Sequence, residues 1–313
     1  MSGVHAPWTA PPALPERITI REVGPRDGLQ PEEPWPAVWR AALAESLIRA
    51  GATTIEVAAF VSPKAVPSMA DPAAVVRKVR DVLDPVDDPV TVVALVPNVR
   101  GAEMAAEARV DALTLTVSAS EAYSRRNVRM SVDESLAQVA AIRAAIGDDL
   151  PVDTVVSCAF GSPYEGDIAP AAAAEIGRRA LDGGSTSLTY ADTTGMATPR
   201  RVADLLAETG TDVGLHLHDT RGTALVNAFA AMQLGVRRFD TAVGGLGGSP
   251  FAAGAGGNLA TEDLVHLCDD LGIATGIDLT ALLAISAQLA EVLGHPVPSR
   301  VAAAGPRSRL HPE

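Results

Sequence analysis

Lysine is nearly missing from this 313-residue chain: only Lys64 and Lys78 occur, so arginine carries almost all of the positive charge. That imbalance reflects the coding of a GC-rich genome and not chemistry. Positive charge as a whole is also short. A formal net charge of −13 argues against a nucleic-acid partner, because phosphate backbones are held by clustered basic side chains. Cysteine is scarce too. Cys158 and Cys268 lie far apart and suggest no disulfide framework, which fits a reducing cytoplasm. No stretch approaches the ~20 uninterrupted apolar residues of a membrane span. The Pro- and Ala-rich start, Met1 to Pro15, lacks a basic segment followed by an apolar run. Residues 1–15 therefore read as a disordered N-terminal extension, neither signal peptide nor anchor.

What the chain has instead is alternation. Short β-rich runs cover Ile18–Val23, Thr54–Phe60, Val90–Val96, Ala112–Ser118, Val152–Ser157, Ser185–Asp192, Val213–Asp219 and Arg238–Gly245. Between them lie helical patterns such as Ala37–Ala50, Val132–Ala145, Ala171–Asp182, Arg200–Thr209 and Ala224–Leu234. Strand–helix alternation implies parallel strands joined by right-handed crossovers, and eight such units close a (β/α)₈ TIM barrel. The competing fold, a doubly wound open sheet, carries a Gly-rich phosphate turn after its first strand. Here that place reads Gly24-Pro25-Arg26-Asp27-Gly28. Two further helical stretches, Thr261 to Leu271 and Leu279 to Leu293, form a C-terminal helical cap on the barrel. The α/β barrel domain with its cap thus spans residues 16–297, and residues 298–313 read as a loosely ordered tail.

Active sites of such barrels gather at the C-terminal ends of the strands. Those ends supply Arg26 and Asp27 from the first strand, Glu56 just inside the second, Asp192 from the sixth and His216-Leu217-His218 from the seventh. The eighth runs into a glycine-rich loop, Gly244 to Gly257, that ends at Asn258. Residues i and i+2 of a strand share a face, so both imidazoles look the same way. Two inward imidazoles beside an Asp and an Asn make a divalent-metal constellation, whereas a pair of hydrogen-bonded core histidines is the plainer alternative. No cysteine cluster accompanies them, which argues against closed structural zinc. Arg26 offers a fixed fork of donors for an oxyanion, or else a surface salt bridge. Glu56 reads as the carboxylate that orients Arg26 or a histidine. The glycine loop lacks a phosphate-loop spacing and reads as a lid over the mouth. Cys158 reads as a small core residue.

Taken together, several strings resemble the 3-hydroxy-3-methylglutaryl-CoA (HMG-CoA) lyases, members of the DRE-TIM metallolyases. They are Val23-Gly-Pro-Arg-Asp-Gly-Leu-Gln30, Phe60-Val-Ser-Pro-Lys64, Ser118-Ala-Ser-Glu121 with Asn127, and Val156-Ser-Cys-Ala-Phe-Gly-Ser-Pro-Tyr-Glu-Gly166. To these are added Ala191-Asp-Thr-Thr-Gly195, His216-Leu-His-Asp-Thr220 and Gly257-Asn-Leu-Ala-Thr-Glu-Asp263. The resemblance implies a retro-aldol, Claisen-type cleavage of HMG-CoA to acetoacetate and acetyl-CoA. It implies Mg²⁺ or Mn²⁺ on Asp27, His216, His218 and Asn258, an enolate held by Arg26, and catalytic parts for Asp192, His216, Glu56 and Ser249. Gln30, Arg26, Asn127 and Thr193 become substrate contacts, Glu262 a supporting hydrogen-bond partner, the substrate an acyl-CoA, and the assembly a homodimer.

The chain departs from that pattern. Ser249 stands where the family carries a flap cysteine, and an alcohol is a far weaker acid than a thiol of pKa near 8.5. Glu33 stands where a lysine is common, Ala59 where Ser precedes Phe, and Tyr190-Ala191 where Leu-Gly is usual. Retained ligands beside altered substrate-side positions leave three other readings. One is the same chemistry on a different 3-hydroxyacyl thioester or oxo acid, in secondary metabolism. The others are a condensing enzyme and an inactive barrel that binds acyl-CoA.

Overall fold

The structure, a computed structural model, describes residues 14–83, 89–248 and 256–309. Eight parallel strands close into a barrel: β1 Thr19–Glu22, β2 Thr54–Ala59, β3 Thr91–Leu95, β4 Ala112–Ser118, β5 Val152–Ser157, β6 Ser187–Asp192, β7 Gly214–Leu217 and β8 Arg238–Thr241. The (β/α)₈ expectation from sequence holds, with β1 hydrogen-bonded between β2 and β8 to complete the ring. Helices wrap the outside, so the strands are covered on both faces and read as nearly continuous apolar runs. β5 is buried at all of its residues.

Local chemistry sets the helix boundaries. Ser131 and Glu134 form a reciprocal capping box at the start of the helix Val132–Ile146. Thr198 caps Pro199–Thr209, where proline at the first turn surrenders an amide that would have no partner. Helices at Pro72–Leu83, Val99–Glu107 and Glu121–Asn127, and a two-stranded hairpin of Gly161–Ser162 with Gly166–Asp167, add to those legible from pattern alone. The eighth strand is shorter than its β-rich run. After Thr241 the chain turns through Val243–Gly245, where Gly244 adopts φ 71, a left-handed conformation open to glycine.

The two C-terminal helices, Thr261–Leu271 and Leu279–Leu293, lie where the sequence places them. Within the segment expected as a loose tail, Arg300–Ala304 forms a short third helix. Asp263 holds its start, accepting from Ser299 Oγ at 2.8 Å and Val301 N at 2.9 Å. These are long-range contacts, invisible to local pattern. The expected N-terminal extension falls mostly outside the described residues, as do residues 310–313. Among the described residues no helix is long and apolar enough to cross a membrane.

Candidate metal centre at the barrel mouth

The first strand delivers Arg26 and Asp27 through one widened helical turn, Gly24–Gly28, closed by Leu29 N donating to Gly24 O at 3.0 Å. Such π-type turns are uncommon and recur at functional sites. Glycine is required at 24, because a Cβ there would stand 2.6 Å from Glu22 Oε1 and 2.9 Å from Val243. Glu22 ties this turn to the segment that follows the neighbouring eighth strand. Its Oε1 accepts from Gly24 N and from Val243 N, at 2.7 and 2.9 Å.

From β7 and just beyond it, His216 and His218 face the same way and are both buried. Their Nε2 atoms lie 3.1 Å apart, and Asp27 Oδ2 lies 3.9 Å from His216 Nε2. One ligand atom from each of these three residues falls within 4.8 Å of the others. Asn258 completes the group. It pairs with His218 across a short antiparallel bridge and donates from Nδ2 to Asp27 Oδ2 at 2.8 Å.

The hydrogen bonds around these residues leave atoms that suit a cation. His218 Nδ1 faces the carbonyl of Gly256 at 3.0 Å, an acceptor only, so that nitrogen carries the proton. His216 Nδ1 faces Asp240 Oδ2 at 3.1 Å and likewise carries its proton. Each ring therefore turns a bare Nε2 lone pair toward the other. Asn258 Oδ1 is buried and has no hydrogen-bond partner among the described atoms. Two facing lone pairs, an orphaned amide oxygen and a carboxylate form a donor set that a divalent cation satisfies.

Titration follows the same geometry. Burial works against charge on Asp27, but Arg26 and the two imidazoles outweigh it and hold the carboxyl well below the usual range. Burial likewise opposes charge on His216, yet Asp240 and Asp27 raise it above an ordinary histidine. His218 is pushed down to about 4 by burial and by its neighbour His216. The pair thus takes up one proton where a cation would otherwise bind.

Arg26 is itself buried and held on two sides. Its Nε donates to Glu56 Oε2 and its Nη1 to Asp27 Oδ1, while Glu56 Oε1 accepts from Thr114 on β4. Nη2 has no partner among the described residues. Asp192 turns to its own loop, its two oxygens accepting from Met196 N at 2.7 Å and Ala197 N at 3.0 Å. Burial raises its carboxyl to about 6. Thr193 Oγ1 accepts from Cys158 N at 2.9 Å, and Cys158 itself is fully buried. Gln30 is half-buried beside the mouth, its carbonyl taken by Ser68 Oγ. Asn127 is exposed at the end of its helix, and no hydrogen bond among the described residues ties it to the cluster. Ser249 lies outside the described residues. Glu262 accepts from Gly244 N and from Ser286 at the root of the glycine loop.

Sequence reasoning missed Asp240, the carboxylate behind His216. Its only sequence signal is parity. Asp240 sits mid-strand in β8, and the register that sets it beside His216 emerges only when the barrel closes.

The HMGL-like family model matches residues 17–289. An (R)-citramalyl-CoA lyase from Chloroflexus aurantiacus is 43% identical over 305 residues, covering 93% of this chain and 96% of that protein. The human mitochondrial hydroxymethylglutaryl-CoA lyase is 40% identical over 298 residues, covering 93% and 90%. Among solved structures, an HMG-CoA lyase from Acinetobacter baumannii, in complex with coenzyme A and 3-methylmalate, superposes with a TM-score of 0.89. It is 40% identical and covers 95% of this chain and 98% of its own.

Proposed function

The chain belongs to the HMGL-like family and is a carbon–carbon lyase, and on that premise we propose that it cleaves 3-hydroxy-3-methylglutaryl-CoA to acetoacetate and acetyl-CoA with the aid of Mg²⁺ or Mn²⁺. The observation that carries the reading is the convergence of Asp27, both Nε2 atoms and the orphaned Asn258 Oδ1 beside Arg26.

A divalent cation held by these four residues supplies Lewis acidity to the hydroxyl and carbonyl oxygens of the substrate. The remaining work falls to the side chains. Asp192, raised to about 6, is the rim carboxylate we assign to receive the proton of the tertiary alcohol. As the C2–C3 bond breaks, its electron pair passes to C2 and into the thioester, leaving an enolate. Arg26 keeps Nη2 for that oxyanion, because Glu56 and Asp27 occupy Nε and Nη1. A proton delivered to C2 then releases acetyl-CoA. Ser249, or a water bound to it, is the group assigned to that delivery.

A second substrate is favoured by a specific observation: the 43% identical relative is a citramalyl-CoA lyase. Citramalyl-CoA has the same tertiary alcohol and thioester with one methylene less, and its cleavage gives pyruvate and acetyl-CoA. The test presents both thioesters to metal-reconstituted enzyme, wild type and Ser249→Cys, with products identified by mass spectrometry. Acetoacetate as the faster product supports the primary reading, and pyruvate transfers it to citramalyl-CoA. Intact thioester with both enzymes refutes both substrates. Turnover gained only in Ser249→Cys would place the alteration at the last proton transfer.

A further inference from the structure

We propose that Arg21, inside the barrel beneath the metal centre, is a positioning residue that fixes the tautomer and aim of His216. The effect on metal affinity rests on the metal-dependent reading above; the effect on the imidazole stands on hydrogen bonds alone.

Arg21, Asp240 and His216 occupy one level of the barrel on three neighbouring strands, Arg21 opposite Asp240 and Asp240 opposite His216. The guanidinium grips Asp240 with two prongs, Nε to Oδ1 at 2.8 Å and Nη2 to Oδ2 at 2.7 Å. That same Oδ2 faces His216 Nδ1 at 3.1 Å. The fork therefore fixes the one acceptor that keeps the imidazole proton on Nδ1 and the Nε2 lone pair free. With the carboxylate loose, a neutral imidazole would spend part of its time protonated on Nε2, the form that cannot hold a cation.

Arg21 is anchored in turn from the opposite wall. Nη1 donates to Asp153 Oδ2 on β5 at 2.8 Å, and Nη2 reaches Thr189 Oγ1 on β6 at 3.3 Å. Ser187 and Thr189 hydroxyls complete Asp153, at 2.6 and 2.8 Å. Two carboxylates thus share one guanidinium, leaving an excess negative charge below the ligands. Gly214 makes room for the arrangement, since a Cβ there would stand 2.6 Å from Thr189 Oγ1. A lysine at 21 keeps the charge but loses the fork, because an ammonium is a point donor and a guanidinium a planar one.

The test compares wild type with Arg21→Lys in full-length, metal-free protein. Three quantities are measured: the Mn²⁺ dissociation constant by electron paramagnetic resonance, the His216 tautomer by ¹⁵N nuclear magnetic resonance, and the thermal midpoint. The expected result is Mn²⁺ binding weakened about ten-fold or more, with His216 shifted from pure Nδ1–H toward a mixture. An unchanged tautomer with unchanged Mn²⁺ affinity overturns the proposal, even if the midpoint falls, because Arg21 would then be a structural ion pair. If wild type binds no Mn²⁺, the metal reading fails, and the tautomer measurement still decides the role of Arg21. Should Arg21→Lys not fold, Arg21→Gln takes its place with the same readouts and the same expected and contrary results.

Discussion

At the scale of single residues, the division of labour at the mouth rests on which atoms are already occupied. Arg26 spends two of its donor groups on Glu56 and Asp27 and keeps one. Arg26→Lys retains the charge but cannot hold both carboxylates and the oxyanion at once. Steady-state kinetics should show kcat lowered about 10²- to 10³-fold, the range for loss of an oxyanion donor, with Mn²⁺ affinity changed far less. An equal fall in both would place Arg26 with the ligands instead. The imidazoles give a pH prediction. Asp240 and Asp27 raise His216 above the ordinary histidine value, so below that raised value a proton competes with the cation for Nε2. Mn²⁺ affinity should therefore decline as pH falls through that raised value, up to about ten-fold per unit of pH. His218, at about 4, stays neutral through that window and adds nothing to the decline. A titration of Mn²⁺ from pH 8 to 5.5 checks this, and a flat profile would contradict it.

These same residues show what a sequence discloses. Asp27, His216, His218 and Asn258 are legible because their types suit a cation and they fall at strand ends or, for Asn258, at the close of the loop that follows the last strand. Arg21, Asp153 and Asp240 are equally polar, with both carboxylates buried and the guanidinium largely so, yet they sit within strands where pattern predicts core. Only the register of a closed barrel brings their charges together.

At the scale of elements, the site depends on chain segments passing unusually close. Gly257 lies against the root of the glycine loop, and a Cβ there would stand 1.8 Å from Gly245 O. Backbone must move to admit it, and Asn258 is the next residue. Gly257→Ala should weaken Mn²⁺ binding several-fold and lower stability by about 1–3 kcal/mol, the usual cost of overpacking. Isothermal titration with Mn²⁺ and a denaturant melt measure the two effects; wild-type affinity in a destabilised variant would show that Asn258 does not follow its neighbour. The alternation of strands and helices foretold this architecture, because period and composition are local properties. The short helix Arg300–Ala304 was not foretold. Its start is fixed by Asp263, and Ser299 N donates to Gly244 O at 2.8 Å, so the C-terminus braces the loop root.

At the scale of the whole molecule, eight strands of differing chemistry converge on one mouth above an ionic cluster of Arg21, Asp153 and Asp240. The barrel gives rigidity, and one strand together with the loops at its mouth supplies the candidate ligands. Closure brings together residues as distant as Asp27 and Asn258, whose side chains meet at 2.8 Å. The central claim is that this meeting point holds a divalent cation on which carbon–carbon cleavage depends. It is tested most directly by titrating Mn²⁺ into metal-free enzyme while following release of acetyl-CoA from 3-hydroxy-3-methylglutaryl-CoA. Turnover absent at the start, rising linearly and reaching a plateau near one Mn²⁺ per chain is the predicted result. Cleavage at full rate in metal-free enzyme, or none at any Mn²⁺ concentration, would contradict it.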